Sequence, residues 1–261
     1  MGAMAGMSDS RYLELVSYKV FADLRAEARQ TYLNFLWWVI EPVLYMAVFY
    51  VVFGLLLKRG GGPEYVPFLL TGLTAWRWFD NAVRTGSKSI MTNAHLMRQV
   101  YLPKIVFPVI AVIQSTLKFV CVLLLLLVFL QFFESGVSVT YLALPAIMLV
   151  QLIFICAFTF ALAAVVPFLP DIGKLIGNAL TLLMFLSGIF YTGKTIPDEY
   201  KDYFYMNPMA TLLESYRDIL LYSSWPDWRG LFWIAALSCL GLLAVVVFFR
   251  RNDKVYPKIL A

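Results

Sequence analysis

SKSIMTNAHLMRQVYLPKIVFP, residues 87–108, is a polar and basic interruption between two long apolar runs. Within it Leu96, Met97, Val100 and Tyr101 recur at helical spacing, while His95, Arg98 and Gln99 point elsewhere. Asn93 suits the cap of such a helix, and Pro103 stops it. The spacing predicts a helix of about two turns over 93–102, lying flat at a membrane surface between two spans. Lys88, Arg98 and Lys104 place it on the cytoplasmic side. A transporter can dock a motor on such a helix; an ordinary interfacial loop helix has the same pattern.

Composition sets the frame around this stretch. Of 261 residues, 61% are hydrophobic and 14% charged, so the chain reads as an integral membrane protein. A spanning helix needs ~20 apolar residues, and the runs allow about six of them. They leave no room for a sizeable soluble domain. The net charge of +5 sits at span ends, where it orients the chain; it is no nucleic-acid signal. Cys121, Cys156 and Cys239 all fall inside apolar runs and read as packing residues. With a single histidine, His-rich metal chemistry is not expected. No cleavable signal peptide is expected ahead of the first polar helix.

The fold class expected is an all-α polytopic membrane protein in a single domain. Residues 11–30 are too charged to span. Leu13, Val16, Val20 and Leu24 share one helical face, opposite Arg11, Arg25 and Arg29, which is the pattern of an interface helix. Spans are expected at 35–57, 67–86, 105–133, 141–166, 172–190 and 231–249. In the first, Phe35, Trp38, Tyr45, Phe49 and Phe53 fall within an arc of about 80°. Such a stripe can stack on sugar rings or pack helices as an aromatic belt. Glu41 in this span must face protein or water. The second span carries Arg77, Asp80 and Arg84 at spacings that allow internal pairing. Lys118 lies deep in the third, so it should face a cavity or an acid such as Glu41. Pro167, Pro170 and Asp171 make a tight cytoplasmic turn. Residues 191–221 hold too many aromatic and aliphatic side chains for a free loop. Their acids and the Asn207-Pro208 break forbid a full span, so two re-entrant extracytoplasmic helices are expected. Arg217 should pair with Glu214 or Asp218, or with an acid of the facing subunit. Lys and Arg concentrate in the segments assigned to the cytoplasm, which puts both termini inside.

Several segments together resemble the membrane subunit of ABC-2 type exporters, specifically polysaccharide and O-antigen export permeases. The matching residues are Phe68-Leu69 with Gly72 and Trp76, then Asn93-Ala94-His95-Leu96 with Pro103 and Pro108. Leu186-Ser187-Gly188-Ile189-Phe190-Tyr191, Ile196-Pro197, Asn207-Pro208-Met209 and Tyr216-Arg217 follow in order. Pro170-Asp171 departs from the family's usual Arg-Asp at that turn. The resemblance implies a homodimer in the bacterial inner membrane, each subunit bound to a cytoplasmic ATPase that holds ATP and Mg. This chain then needs no cofactor of its own. It implies that Asn93, His95, Leu96, Met97, Arg98, Gln99 and Tyr101 couple to that ATPase. Phe35, Trp38, Tyr45, Phe49, Phe53 and Lys118 would line the path of a lipid-linked polysaccharide. Tyr191, Tyr203, Asn207, Pro208, Leu212, Glu214 and Arg217 would form an outer gate. Other cargoes of the family (capsule, teichoic acid, drug or lipid) remain open. The chain has no Walker motif, so its energy must come from another chain. A membrane glycosyl- or acyltransferase would want a cluster of acids or histidines at the membrane edge, and none is visible. A secondary transporter would want an internal repeat, which is absent too.

Overall fold

The computed structural model describes residues 9–29, 37–52, 65–99, 102–131, 138–253 and 255–259. In chain order the helices are α1 (Asp9–Arg29), α2 (Trp37–Phe49), α3 (Tyr65–Thr92), α4 (Ala94–Gln99) and α5 (Val106–Leu130). A 3-10 turn over Val139–Ala143 leads into α6 (Leu144–Val165), followed by α7 (Pro170–Leu186). After a 3-10 turn over Gly193–Thr195 come α8 (Asp198–Tyr205), α9 (Pro208–Leu220), α10 (Trp228–Asn252) and α11 (Tyr256–Ile259). Among the described residues there is no strand.

Apolar runs free of breakers make the longest rods. Among the described residues three segments are long and apolar enough to cross a membrane: Val106–Leu130, Val139–Val165 and Trp228–Asn252. The helix α3 is as long, but it carries Arg77, Asp80, Arg84 and Lys88. At 17 residues α7 lies at the short end of the range for a full crossing, and α2 stays helical to residue 52, where the described stretch ends.

The core is built around α3, which packs against α5, α6, α9 and α7. Trp78 stacks on Phe119 at 4.1 Å and its indole N–H donates to Thr116 Oγ1 at 3.2 Å. Phe79 stacks on Phe154 at 5.3 Å. Gln151, fully buried on α6, donates to the carbonyl of Ala75 at 2.8 Å. Where α3 meets α6, Gly86 leaves the space that a methyl of Thr159 fills. A paired α6–α10 layer covers one flank.

Several boundaries differ from the sequence reading. The second span does not stop at 86. It runs to Thr92 because Ser87, Ser89 and Ile90 are buried against neighbours rather than facing water. Asn93 does not cap the next helix with its side chain. Its amide donates back to Ser89 O at 2.8 Å, and its carbonyl accepts from Leu96 and Met97. So Asn93 closes α3 and the chain turns within one residue. Pro170 is not in the turn but opens α7, where a missing N–H costs nothing. That helix ends at Leu186, short of 190, because Gly188 adopts φ +73° and breaks it.

Candidate functional site

The helices α2, α3, α5 and α7 enclose a cleft whose walls mix charge with aromatic surface. One part, of about 290 Å³, is lined by Tyr45, Trp76, Arg77, Asp80, Arg84 and Met184. The adjoining part, of about 350 Å³, is lined by Glu27, Arg77, Asp80, Asn81, Ser115 and Lys118. The row on α3 is paired only in part internally. Arg84 Nε donates to both carboxylate oxygens of Asp80, at 2.9 and 2.8 Å, and Nη2 donates to Gly177 O on α7 at 3.1 Å. Arg77 lies over the ring of Tyr45, 3.8 Å from its centroid, joining α3 to α2.

Lys118 has a carboxylate partner in Glu27 of α1. The ammonium donates to Glu27 Oε1 and Oε2 at 2.6 and 2.7 Å. One turn earlier Gln114 donates to Asp23 at 3.3 Å. Below that, Ile110 packs with Val20 and Leu24. These rungs step along both helices in the same direction, so the second half of α1 runs with the start of α5. The apolar face read from the sequence is therefore spent on α5, while Arg25 stays exposed. Glu41 lies in α2, with its side chain outside the described residues. Of the aromatic arc only Tyr45 can be placed, and it is 44% exposed at the cleft. Phe35 and Phe53 lie outside the described residues, as do the side chains of Trp38, Phe49, Arg11 and Arg29.

The helix α4 sits between α3 and α11. Met97 is buried, Leu96 and Asn93 half-buried, and His95 exposed. Tyr101 and the side chains of Arg98 and Gln99 lie outside the described residues.

On the far side, α8 and α9 form a hairpin of unequal halves. Asn207 caps α9, its Oδ1 accepting from Met209 N at 3.0 Å, and Pro208 takes the first helical position. Met209, Leu212, Leu213, Tyr216 and Ile219 are fully buried, whereas Tyr203 on α8 is 72% exposed. The expected ion pair of Arg217 with Glu214 or Asp218 is not what forms. Arg217, itself buried, donates to the carbonyls of Phe68, Gly188 and Ile189 at 3.3, 2.9 and 2.9 Å. Its guanidinium also lies over the Phe68 ring at 3.5 Å. The carbonyls of Gly188 and Ile189 are orphans of the α7 break, and the planar guanidinium fork supplies them with donors. Glu214 accepts from Gly193 N at 2.9 Å. Burial first, and then the Glu214 carboxylate, push the Tyr205 phenol up to about 12. Tyr191 donates to Phe185 O at 2.9 Å and packs on Phe204. At the exposed end, the hydrogen bond from Lys201 holds Asp198 below the usual carboxylate range.

Sequence reasoning missed the segment after α10. Asp253 accepts from Lys104 N at 2.9 Å, and the buried Lys104 ammonium lies 3.8 Å from Asp253 Oδ2. Tyr256 is fully buried and donates to Ala164 O at 3.1 Å. The available signal was a lone acid and a lone aromatic among the bases of RRNDKVYPK.

The family described as ABC-2 type transporter matches residues 19–221. The chain is 31% identical over 250 residues to the O-antigen export system permease protein RfbA of Myxococcus xanthus, covering 95% of this chain and 96% of that protein. A protein of the same name from Klebsiella pneumoniae is 27% identical over 200 residues, 76% of this chain and 77% of its own length. The polysialic acid transport protein KpsM of Escherichia coli is 22% identical over 234 residues, 89% of this chain and 91% of its own.

Proposed function

The chain belongs to the ABC-2 type transporter family, and from that membership we propose that it is the permease subunit of an exporter for a lipid-linked, O-antigen-like polysaccharide. The observation that carries the reading is likeness across nearly the full length to a protein named as an O-antigen export permease. The cleft adds a physical reason. Tyr45 offers a flat ring, and Arg77, Asp80, Asn81 and Lys118 offer hydrogen-bonding groups beside it. A sugar polymer needs both: stacking for its apolar faces and polar partners for its hydroxyls.

In this reading the protein sits in the bacterial inner membrane as a homodimer with six spans per copy and both termini in the cytoplasm. The helices α2, α3, α5, α6, α7 and α10 are the spans. A cytoplasmic ATPase, carrying its own ATP and Mg, docks on α4, with His95 at the contact. The hairpin of α8 and α9 is re-entrant from outside and closes the exit. The test is complementation of a strain lacking the gene, with surface and intracellular polysaccharide both measured. The wild-type chain should restore surface polymer, and Tyr45→Ala should leave polymer accumulating inside. If the wild-type chain restores no surface polysaccharide, the cargo assignment fails.

A further inference from the structure

The cytoplasmic segment after α10 is fastened at two places that the transport reading leaves unexplained. At the first, Asp253 takes the backbone N–H of Lys104 at 2.9 Å while the Lys104 ammonium lies 3.8 Å away. Lys104 is 1% exposed and also donates to Leu102 O at 2.9 Å, so the clamp fixes the loop that leaves α4. At the second, Tyr256 is fully buried. Its hydroxyl donates to Ala164 O near the end of α6, and its ring packs on Phe249 of α10 and Phe168 of the α6–α7 turn, with centroids 5.8 and 5.3 Å apart. Tyr256 opens α11, which lies against α4. A short helix joined to its neighbours by loops alone would tilt under load, because loops bend at little cost. Here a buried ion pair and a buried aromatic cluster close the ring from α4 through Lys104, Asp253 and Tyr256 to α6 and α10.

We propose that the segment from Asp253 to Ile259 is a strut: it positions α4 and delivers force applied there to the cytoplasmic ends of α6 and α10. The proposal rests on α4 being the ATPase-docking helix. Lys104 and Asp253 are positioning residues in this scheme, as is Tyr256. The ATPase binds α4 whether or not the strut is present, but its work reaches α6 and α10 through the strut.

The test uses the full exporter in inside-out vesicles, in a background with Cys121, Cys156 and Cys239 replaced by Ser. Lys104→Cys with Asp253→Cys removes the clamp, and a short bis-maleimide restores it covalently. The expected result is that the uncrosslinked pair keeps ATPase association and ATP hydrolysis but loses export, and that cross-linking brings export back. Tyr256→Ala should lose export with hydrolysis retained, while Tyr256→Phe, which keeps the ring packing, should export. Full export by the uncrosslinked pair, or by Tyr256→Ala, overturns the strut alone. So does a cross-linked pair that hydrolyses ATP without exporting. Failure of the unaltered chain to co-purify with the ATPase removes the docking reading, and the strut with it.

Discussion

A buried arginine without a carboxylate partner survives only if other oxygens surround it, and Arg217 shows how that is arranged. The break at Gly188 frees the carbonyls of Gly188 and Ile189, and the guanidinium collects both together with Phe68 O. Gly72 makes room, since a Cβ there would lie 2.5 Å from Arg217 Nη2. Arg217→Met strands the two buried carbonyls of Gly188 and Ile189 at about 1–3 kcal/mol each, so thermal unfolding in detergent should show a loss of roughly 2 kcal/mol or more. Gly72→Ala should destabilise through the same contact, and the double variant should fall well short of the sum. Additive effects would mean that the two residues act independently. The pair Lys118 and Glu27 is half open to solvent on the Glu27 side. A double-mutant cycle with Gln at each position should therefore give a coupling of only about 0.5–1 kcal/mol. The sequence marks Arg217 and Lys118 as residues in need of partners. It cannot say which, because both partners come from far along the chain: carbonyls freed by a helix break, and an acid on α1.

Elements differ in how openly the sequence declares them, and the reason is who pays for their polar groups. The rods α5, α6 and α10 are readable from run length because their exposed faces are apolar along the whole crossing. The end of α3 is not, because Ser87 and Ser89 look like loop residues until α5 and α6 are placed around them. The break between α8 and α9 is readable at Asn207-Pro208, where cap and proline coincide. At α4 burial separates a folding residue from a docking one. Met97 is buried, so Met97→Asp should cost folding and lower the amount of chain in the membrane. His95 is exposed, so His95→Asp should leave membrane levels unchanged and weaken co-purification of the ATPase. Full co-purification with His95→Asp would take the docking surface away from α4. For the hairpin, a membrane-impermeant thiol reagent should label Tyr203→Cys quickly and Leu212→Cys slowly, in line with 72% and 0% exposure. Equal fast labelling would make the segment a solvated loop.

The whole molecule has two kinds of outer surface, and they make different demands on the membrane. The exposed side of α10, with Phe232, Leu237, Leu240 and Leu243, is apolar and lipid covers it at no cost. The cleft between α2, α3 and α7 is different, because Arg77, Asp80 and Arg84 line it. The pair of Arg84 and Asp80 keeps side-chain exposures of 41% and 23%. Charges at membrane depth are costly against lipid tails and persist where protein or water covers them. The exposed apolar rim beside the cleft, Leu175, Leu182 and Leu186 on α7, offers a surface for that cover. In the proposed homodimer, a second copy placed with its own cleft facing this one would shield both sets of charges and leave an enclosed polar path between them. Leu182→Cys should then cross-link to its counterpart in native membranes under mild oxidation, in a chain otherwise free of cysteine. Leu240→Cys, on the lipid-facing side of α10, should not. Cross-linking at Leu240 without any at Leu182 would put the second copy on the opposite flank and leave the charged cleft open to lipid, which the cost of exposed charge argues against.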